Sequence, residues 1–435
     1  MILFFSRHES SLKQMNDLME YLKKFPAEKK IFVSGSRKLK IPEENILRIK
    51  HKFDDPFQKI EGFRMIIHRF IKNNNLSNFF FNCFLFDLFK ILYLVKIYSK
   101  QKSFLKEILI NNGVKSIFLN GDRELGLTPP LIKAANELKI KVMIHATHSM
   151  SVHNLGLQRK YKSHSPEIKL GNNILNMIVG LFFPMQKCET KYGLFLFSKG
   201  WVTLALKVLK MLPQKPWIQG GGNSDLIFVE NKDSLLSLKK FGINQSKIKL
   251  TENIDYLKTL KSKFKENKKV ILFAVPIFFE HKFISWEKHE KELRKYLKVL
   301  SHYSKDVLFS FHPKSERRNY EFIFSDFGFK KKIVSVTDVI SKINLYICGS
   351  SSTINLSVIH QKPTLNLCYV SSADEEFHYK KIKFIKNVED VAQFKSLLEM
   401  KDCDWDKLIK ESVKHTSRFL PYKTQIHKHL EEFLK

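Results

Sequence analysis

Residues 345–367, LYICGSSSTINLSVIHQKPTLNL, join an apolar run to a glycine, four consecutive hydroxyl side chains, a helical stretch and a second apolar run. Gly349 lets the backbone turn sharply, and Ser350, Ser351, Ser352 and Thr353 fall where a helix must begin. A helix N-terminus offers unpaired N–H groups and the positive end of its dipole, and hydroxyls add donors, so the turn is suited to an anion. The plainer reading of the same serines is a helix cap. Upstream, DVLFSF (306–311) reads as a strand that stops at His312–Pro313–Lys314. Proline often ends a strand. Two strand ends of one α/β domain, each with phosphate-friendly groups, nevertheless point together to the phosphates of a nucleotide.

Behind these residues lies an alternation of strands and helices. Strands are expected at 2–5, 30–33, 46–49, 114–119 and 141–144, and helical patterns at 10–24, 58–72, 79–98 and 101–111. A further helix opens at Pro129–Pro130 and runs to Leu138. This is the rhythm of a parallel sheet covered by helices. The GGGN sequence at 220–223 reads as a flexible connection or exposed turn, because no helix start follows it. The rhythm then resumes with strands at 226–229, 248–250 and 270–275 and a strand at 364–369. Helices are expected at 232–241, 286–303, 315–326, 353–360 and 404–414, with a tail helix at 424–434 free to pack back. A chain of 435 residues suits two domains. We place an N-terminal Rossmann-like acceptor domain at 1–215, a linker region at 216–260 and a C-terminal nucleotide-donor domain at 261–435.

The chain carries 75 Lys and Arg against 43 Asp and Glu, a formal net charge of +32. The lysines run along its whole length, so the field belongs to the folded surface and attracts anionic partners such as activated sugars or an anionic membrane. Five cysteines form no CxxC pair, which fits a reduced compartment. The opening MILFFSRHESS is too short an apolar run for a signal peptide. The segment 79–98 is apolar but interrupted by Asp87, Lys90 and Lys96, which favours a buried or interfacial helix over a span. Residues 172–212 hold apolar stretches flanked by lysines, which can lie in a membrane surface or pack at a domain junction.

Two Rossmann-like halves, with His-Pro and a serine-rich turn in the second, resemble the GT-B class of glycosyltransferases. More narrowly, the pair resembles the His-Pro and Ser-Ser motifs of bacterial sialyltransferases and capsule polymerases that use CMP-activated sugars. The segment KIKLTENIDYLKTL…KKVILFAVP also resembles the inter-domain entry of CDP-glycerol phosphotransferases. The resemblance implies a GT-B fold, α/β with two Rossmann-like domains facing a cleft. It implies that His312, with Pro313 and Lys314, contacts the donor phosphate, and that Gly349, Ser350, Ser351, Ser352 and Thr353 form the phosphate turn. It also implies a catalytic base at a strand end of the first half: Asp122 first, Glu124 second, His148 third. The class pattern of two acids before a glycine is here Gly-Asp-Arg-Glu (121–124). A base is needed because a sugar hydroxyl is a poor nucleophile; one within reach contributes about 10²–10⁴ in rate. The plainer readings are a turn residue for Asp122 and a surface charge paired with Arg123 for Glu124.

Other clusters point to less. His145, His148, His153 and His164 lack a carboxylate or cysteine at ligand spacing, so no metal is expected. Asp402, Asp404 and Asp406 open a helix, where acids belong. No nucleic-acid motif accompanies the basic surface. The expected function is a cytoplasmic, metal-independent, inverting glycosyltransferase, without a cofactor and peripherally associated with the inner membrane. It moves a CMP-activated, sialic-acid-like sugar onto a glycan or glycolipid. The alternatives are a CDP-polyol phosphotransferase and a non-catalytic basic binding protein.

Overall fold

The computed structural model describes residues 1–5, 9–34, 42–49, 57, 59–60, 62, 65, 84–123, 125–146, 174–190, 193–261, 270–281, 283–304, 306–312, 315–330, 332–349, 351–370, 379, 381–422 and 425–434. It divides into two compact units. The first comprises residues 1–229, 234–250 and 425–435, and the second 230–233 and 251–424.

Short strands buried at every position, such as ILFF in β1 (Ile2–Phe5) and SIFL in β4 (Ser116–Leu119), have no polar face to show to water. Such strands fit a parallel sheet covered on both sides. With β2 (Lys29–Ser34), β3 (Ile46–Ile49), β5 (Lys141–Ala146), β8 (Leu226–Val229) and β9 (Ile248–Leu250) they form a seven-stranded sheet in the order β3-β2-β1-β4-β5-β8-β9. Strands β6 (Lys187–Thr190) and β7 (Gly193–Leu196) make a separate antiparallel hairpin. Phe4, Phe118 and Phe228 stack along the first sheet, at 5.3 and 5.8 Å between successive rings. The tail helix Ile426–Leu434 is part of the same unit. His429 lies over Phe228 and meets the Leu250 carbonyl at 3.1 Å, and Lys141 Nζ sits 5.1 Å from the Phe433 ring.

The second unit repeats the plan. β10 (Ile271–Ala274), β11 (Val307–Ser310), β12 (Lys332–Ile333), β13 (Leu345–Cys348), β14 (Thr364–Leu367) and β15 (Ile385–Val388) form a sheet in the order β12-β11-β10-β13-β14-β15. All of its strand pairs are parallel. Its core takes in Phe273, Phe309 and Tyr346 from the strands and Leu293, Tyr296 and Leu297 from helix Trp286–Tyr303. Both sheets follow the 3-2-1-4-5-6 order of dinucleotide-binding folds, so each reverses strand order between its first and fourth strands.

The segment 216–260, expected as a linker, is built differently. LIFV at 226–229 is buried at all four positions and IKL at 248–250 pairs beside it, so both extend the first sheet. Four apolar residues in a row need that burial more than a connection could allow. The helical patterns at 79–98 and 101–111 are one helix, Phe84–Asn111, since neither Gly nor Pro interrupts residues 99–101. Two of its interrupting charges, Asp87 and Lys90, pair with each other at 2.8 Å, and Lys90 Nζ rests 4.7 Å from the Phe86 ring. Among the described residues no helix is long and apolar enough to cross a membrane. Among the described residues of 172–212, Ile174–Phe182 and Gly200–Val208 are α-helices, Pro184–Gln186 is a 3-10 turn, and Lys187–Thr190 and Gly193–Leu196 are strands.

Among the described residues six helices end in the same device, a residue in the left-handed region followed by a hydrogen bond back across the last turn. Gly113, Gly242 and Gly328 occupy it in three of them, at φ of 57°, 71° and 70°. Lys139, Lys210 and Gln361 occupy it in the others, at 58°, 54° and 53°. The backbone bonds Ile140 N to Ala135 O, Met211 N to Leu206 O and Lys362 N to Ser357 O close these last three ends at 2.9, 2.8 and 2.8 Å.

Candidate functional site

In open α/β sheets ligands gather outside the carboxyl ends of the strands where the order reverses. In the first unit that position is the chain leaving β4, Asn120–Arg123. Asp122 is 4% exposed, and its carboxylate accepts from Gly220 N at 3.0 Å, Gly222 N at 2.8 Å and Ser224 Oγ at 2.9 Å. Gln219 Nε2 donates to Asn120 O at 2.5 Å, and Arg123 donates to Trp217 O at 2.9 Å. Two segments about a hundred residues apart are thus stitched together.

The GGGN sequence, expected as a flexible or exposed turn, is buried through its three glycines. A Cβ at Gly222 would stand 2.3 Å from Asp122 O and 2.7 Å from its carboxylate, so only glycine admits the contact. Burial pushes the Asp122 carboxyl up from its ordinary value, opposed by the bonds from Ser224, Gly220 and Gly222. A carboxylate engaged by three fixed donors anchors a loop and has little capacity left for a substrate proton. Asp122, the first choice for the base, is thus placed as the anchor of this loop. Glu124 and His148 lie outside the described residues. His145, on β5, is buried.

Beside this loop the first unit carries an open cavity of about 810 Å³. One face of helix Thr128–Glu137, the segment 182–186 and the segment 207–214 line it, with Asp122 and Asn223 at its wall. Gln186, 2% exposed, donates from Nε2 to Pro213 O at 2.8 Å and fixes two of these segments to each other.

In the second unit the reversal falls between β10 and β13. Gly349 follows β13, and a Cβ there would lie 2.8 Å from Pro276 Cβ and 3.0 Å from Phe278 Cζ. The loop after β10 therefore presses directly on the glycine turn. Ser351 Oγ and Thr353 Oγ1 are 2.6 Å apart, Thr353 N donates to Ser351 Oγ at 3.3 Å, and the buried Tyr346 hydroxyl bonds Thr353 Oγ1. Thr353 precedes helix Ile354–Ile359 and makes no side-chain cap itself; the hydroxyl that accepts a backbone N–H at this helix entry is that of Ser351. Ser352 is exposed. His312 stands half-buried two residues past β11, and its carbonyl accepts from Ser315 N at 2.9 Å. β11 and β13 flank β10 on opposite sides, so the histidine and hydroxyl turns lie at strand ends about 10 Å apart. Pro313, Lys314 and Ser350 lie outside the described residues.

One arrangement behind this edge has no sequence signal. Tyr369 OH, His289, Tyr320 OH and Glu280 form a chain: 3.2 Å to His289 Nδ1, 3.1 Å from His289 Nε2 to Tyr320, and 2.8 Å from Tyr320 to Glu280 Oε1. Because Tyr320 donates to Glu280, its oxygen accepts from His289 Nε2–H, and His289 Nδ1 accepts from Tyr369. Burial holds His289 neutral, with a pKa lowered to about 4. Phe278 packs edge-on against Tyr369 at 4.9 Å, so the chain of bonds braces the loop that touches Gly349. Its members are spread over residues 280–369, and nothing in their spacing announces the contact.

The fold defines the class: two parallel-sheet, Rossmann-like α/β domains of GT-B type. Solved structures share that fold over the whole chain. The S. aureus MnaA–UDP co-structure is 13% identical, covers 100% of this chain and 96% of its own, and superposes with a TM-score of 0.50. A putative UDP-N-acetylglucosamine 2-epimerase from Listeria monocytogenes is 9% identical over 99% of this chain and 96% of its own, with a TM-score of 0.51. The wall teichoic acid polymerase TagF is 12% identical over 100% of this chain and 88% of its own, at 0.52. No family model matches the sequence, and no curated protein matches it.

Proposed function

We propose that the chain is a transferase using a nucleotide-activated donor, held at the strand ends of the second unit, to build a cell-surface glycan or glycolipid. The observation that carries this reading is the Gly349–Thr353 hydroxyl turn, set where the second sheet reverses order in a GT-B-type chain. The UDP bound by the similar S. aureus protein supports the nucleotide part, and the polymerase TagF supports transfer in envelope-polymer synthesis.

In this reading His312 and the hydroxyls of the turn stabilise charge on the leaving nucleotide, where one well-placed donor is worth about 10²–10³ in rate. With Asp122 engaged in the glycine loop, the base role passes to Glu124 or His148. Work proceeds at the cytoplasmic face of the inner membrane, to which the exposed apolar and lysine-bearing edge of 172–212 docks. The His-Pro and serine motifs make a CMP-linked sugar the first donor to try and a CDP-polyol the second.

A hydrolysis screen with CMP-, CDP- and UDP-linked compounds tests the proposal. Release of free nucleotide from one class supports it and names the donor. Turnover of a CDP-polyol alone moves the assignment to phosphotransfer, and no turnover of any class favours a non-catalytic binding protein. Epimerisation of UDP-N-acetylglucosamine without transfer would replace it.

A further inference from the structure

We propose that the cavity of the first unit binds a phosphate-bearing membrane amphiphile, taking its head group among lysines and the start of its chain along the apolar wall. The size, about 810 Å³, is that of a site for an extended organic ligand. Its rim is apolar and exposed. Phe182 is 74% exposed, Met185 50% and Val208 67%, all three border the cavity, and the adjoining Leu181 is 75% exposed. The walls continue apolar inward through Phe183, Met211 and Leu212.

Cations are set into the same rim. Lys133, Lys207 and Lys210 line the cavity, and Lys207 Nζ lies 5.9 Å from the Phe183 ring. Among the described lining residues Asp122 is the one acid, and Gly220, Gly222 and Ser224 already occupy its oxygens. An anion entering here meets three lysines against one carboxylate, which is 4% exposed and held by three donors. Apolar tips fringed by lysines are how a protein edge sits in the head-group layer of a membrane. A cavity opening between those tips receives what the layer holds, an anionic head with a hydrocarbon chain. A soluble sugar phosphate would leave the apolar rim in water, and a neutral lipid would leave the lysines without a counter-charge. The binding does not depend on the transferase reading; naming the amphiphile as the acceptor does.

The test uses the full chain and isothermal titration with dodecyl phosphate below its micelle concentration, beside dodecyl maltoside and inorganic phosphate. Dodecyl phosphate is expected to bind one site at least tenfold more tightly than either control. The double variant Lys207→Glu/Lys210→Glu should weaken it tenfold or more, and Val208→Asp should do so through the rim alone. All three positions are exposed, and a thermal melt checks folding; Lys207→Gln/Lys210→Gln replaces the double variant if the reversal unfolds it.

Equal binding of the maltoside, equal binding of phosphate alone, or variants that bind like the unmodified chain would each overturn the proposal. So would a dimer lost in Val208→Asp, which would make this face a contact between copies. Donor hydrolysis by the unmodified chain keeps the two readings apart. Amphiphile binding without hydrolysis removes the transferase and leaves the site, while hydrolysis without binding does the reverse.

Discussion

The two sheets reverse strand order at the same topological place, yet the loops there do opposite things. In the first unit the chain leaving β4 turns its charge inward, where Asp122 is consumed by the buried glycine loop. In the second, the chain leaving β13 links its hydroxyls to one another and to Tyr346 and leaves Ser352 in solvent. Both loops depend on a glycine that admits no Cβ. At Gly222 the obstruction is a carboxylate and its own backbone; at Gly349 it is a proline and a phenyl ring. One loop is locked by hydrogen bonds to a charge, and the other is propped by packing. The second keeps the Ser352 hydroxyl in solvent, where it can meet a ligand.

The sharpest way to break this contrast is to remove the lock. Asp122→Ala strands two buried backbone N–H groups and a serine hydroxyl, each costing about 1–3 kcal/mol when left unpaired. A loss of about 3–5 kcal/mol is expected in urea unfolding. Asp122→Asn should cost nearly as much, because its amide would turn N–H groups toward N–H donors. An Asn variant of unchanged stability that cannot transfer would restore Asp122 as the base and erase the difference between the loops.

The converse holds for the second unit. Ser352→Ala is exposed and should shift stability by less than about 0.5 kcal/mol. His312→Ala and Ser351→Ala should lower donor turnover by about 10²–10³ if they face the leaving group. Turnover that survives while the melting temperature drops would reduce both to strand-end structure.

The pH profile tests the brace behind the second loop. The unfolded chain protonates His289 near pH 6.5, whereas the folded chain resists until about pH 4. Between those values the unfolded state binds the extra proton. The stability is therefore full above pH 6.5 and falls as pH drops toward 4, by up to about 3 kcal/mol. His360, lowered to about 4 by burial and by Lys362, acts in the same window and sign. Burial raises the carboxyls of Glu230, Asp122 and Glu252, which act with the opposite sign, so the His289 share is the difference between urea melts of the unmodified chain and of His289→Gln at pH 4.5 and 7. A pH dependence that His289→Gln leaves unchanged would mean that the Tyr369–His289–Tyr320 chain opens to water.

The fold was legible where residues are apolar on every face. ILFF, SIFL, LYIC and LIFV each announce a covered parallel strand, and two such series announce two Rossmann-like α/β domains. The strands at 226–229 and 248–250 are legible within 216–260, whereas their place in the first sheet is not, and Gly220–Gly222, which suggest flexibility, serve close packing. Asp122 was legible as a residue at a strand end but not as an anchor. Its partners lie about a hundred residues downstream, and one sequence holds no record of that pairing. The aromatic relay was hidden for the same reason. The apolar and basic character of 172–212 was visible, whereas the cavity depends on how its segments meet helix Thr128–Glu137.

The smallest effect separates stability from site. Lys139 and Gln361 hold the left-handed position that glycine fills at Gly113, Gly242 and Gly328. A side chain there costs about 1–2 kcal/mol, and glycine gives back about 0.4–1 through the entropy of the unfolded chain. Lys139→Gly in the first unit and Gln361→Gly in the second should each gain roughly 0.5–1 kcal/mol, visible as a higher urea midpoint at unchanged slope. The same gain is expected of Lys210→Gly, whose φ of 54° is equivalent. Lys210 differs in standing at the cavity rim, so there the gain should come with weaker dodecyl phosphate binding. Lys139 does not line the cavity, and its replacement should leave that titration unchanged. If all three variants stabilise and none alters binding, the lysine at 210 is merely a poor helix end. If only Lys210→Gly separates the two readouts, the first unit retains strain there for the sake of a ligand.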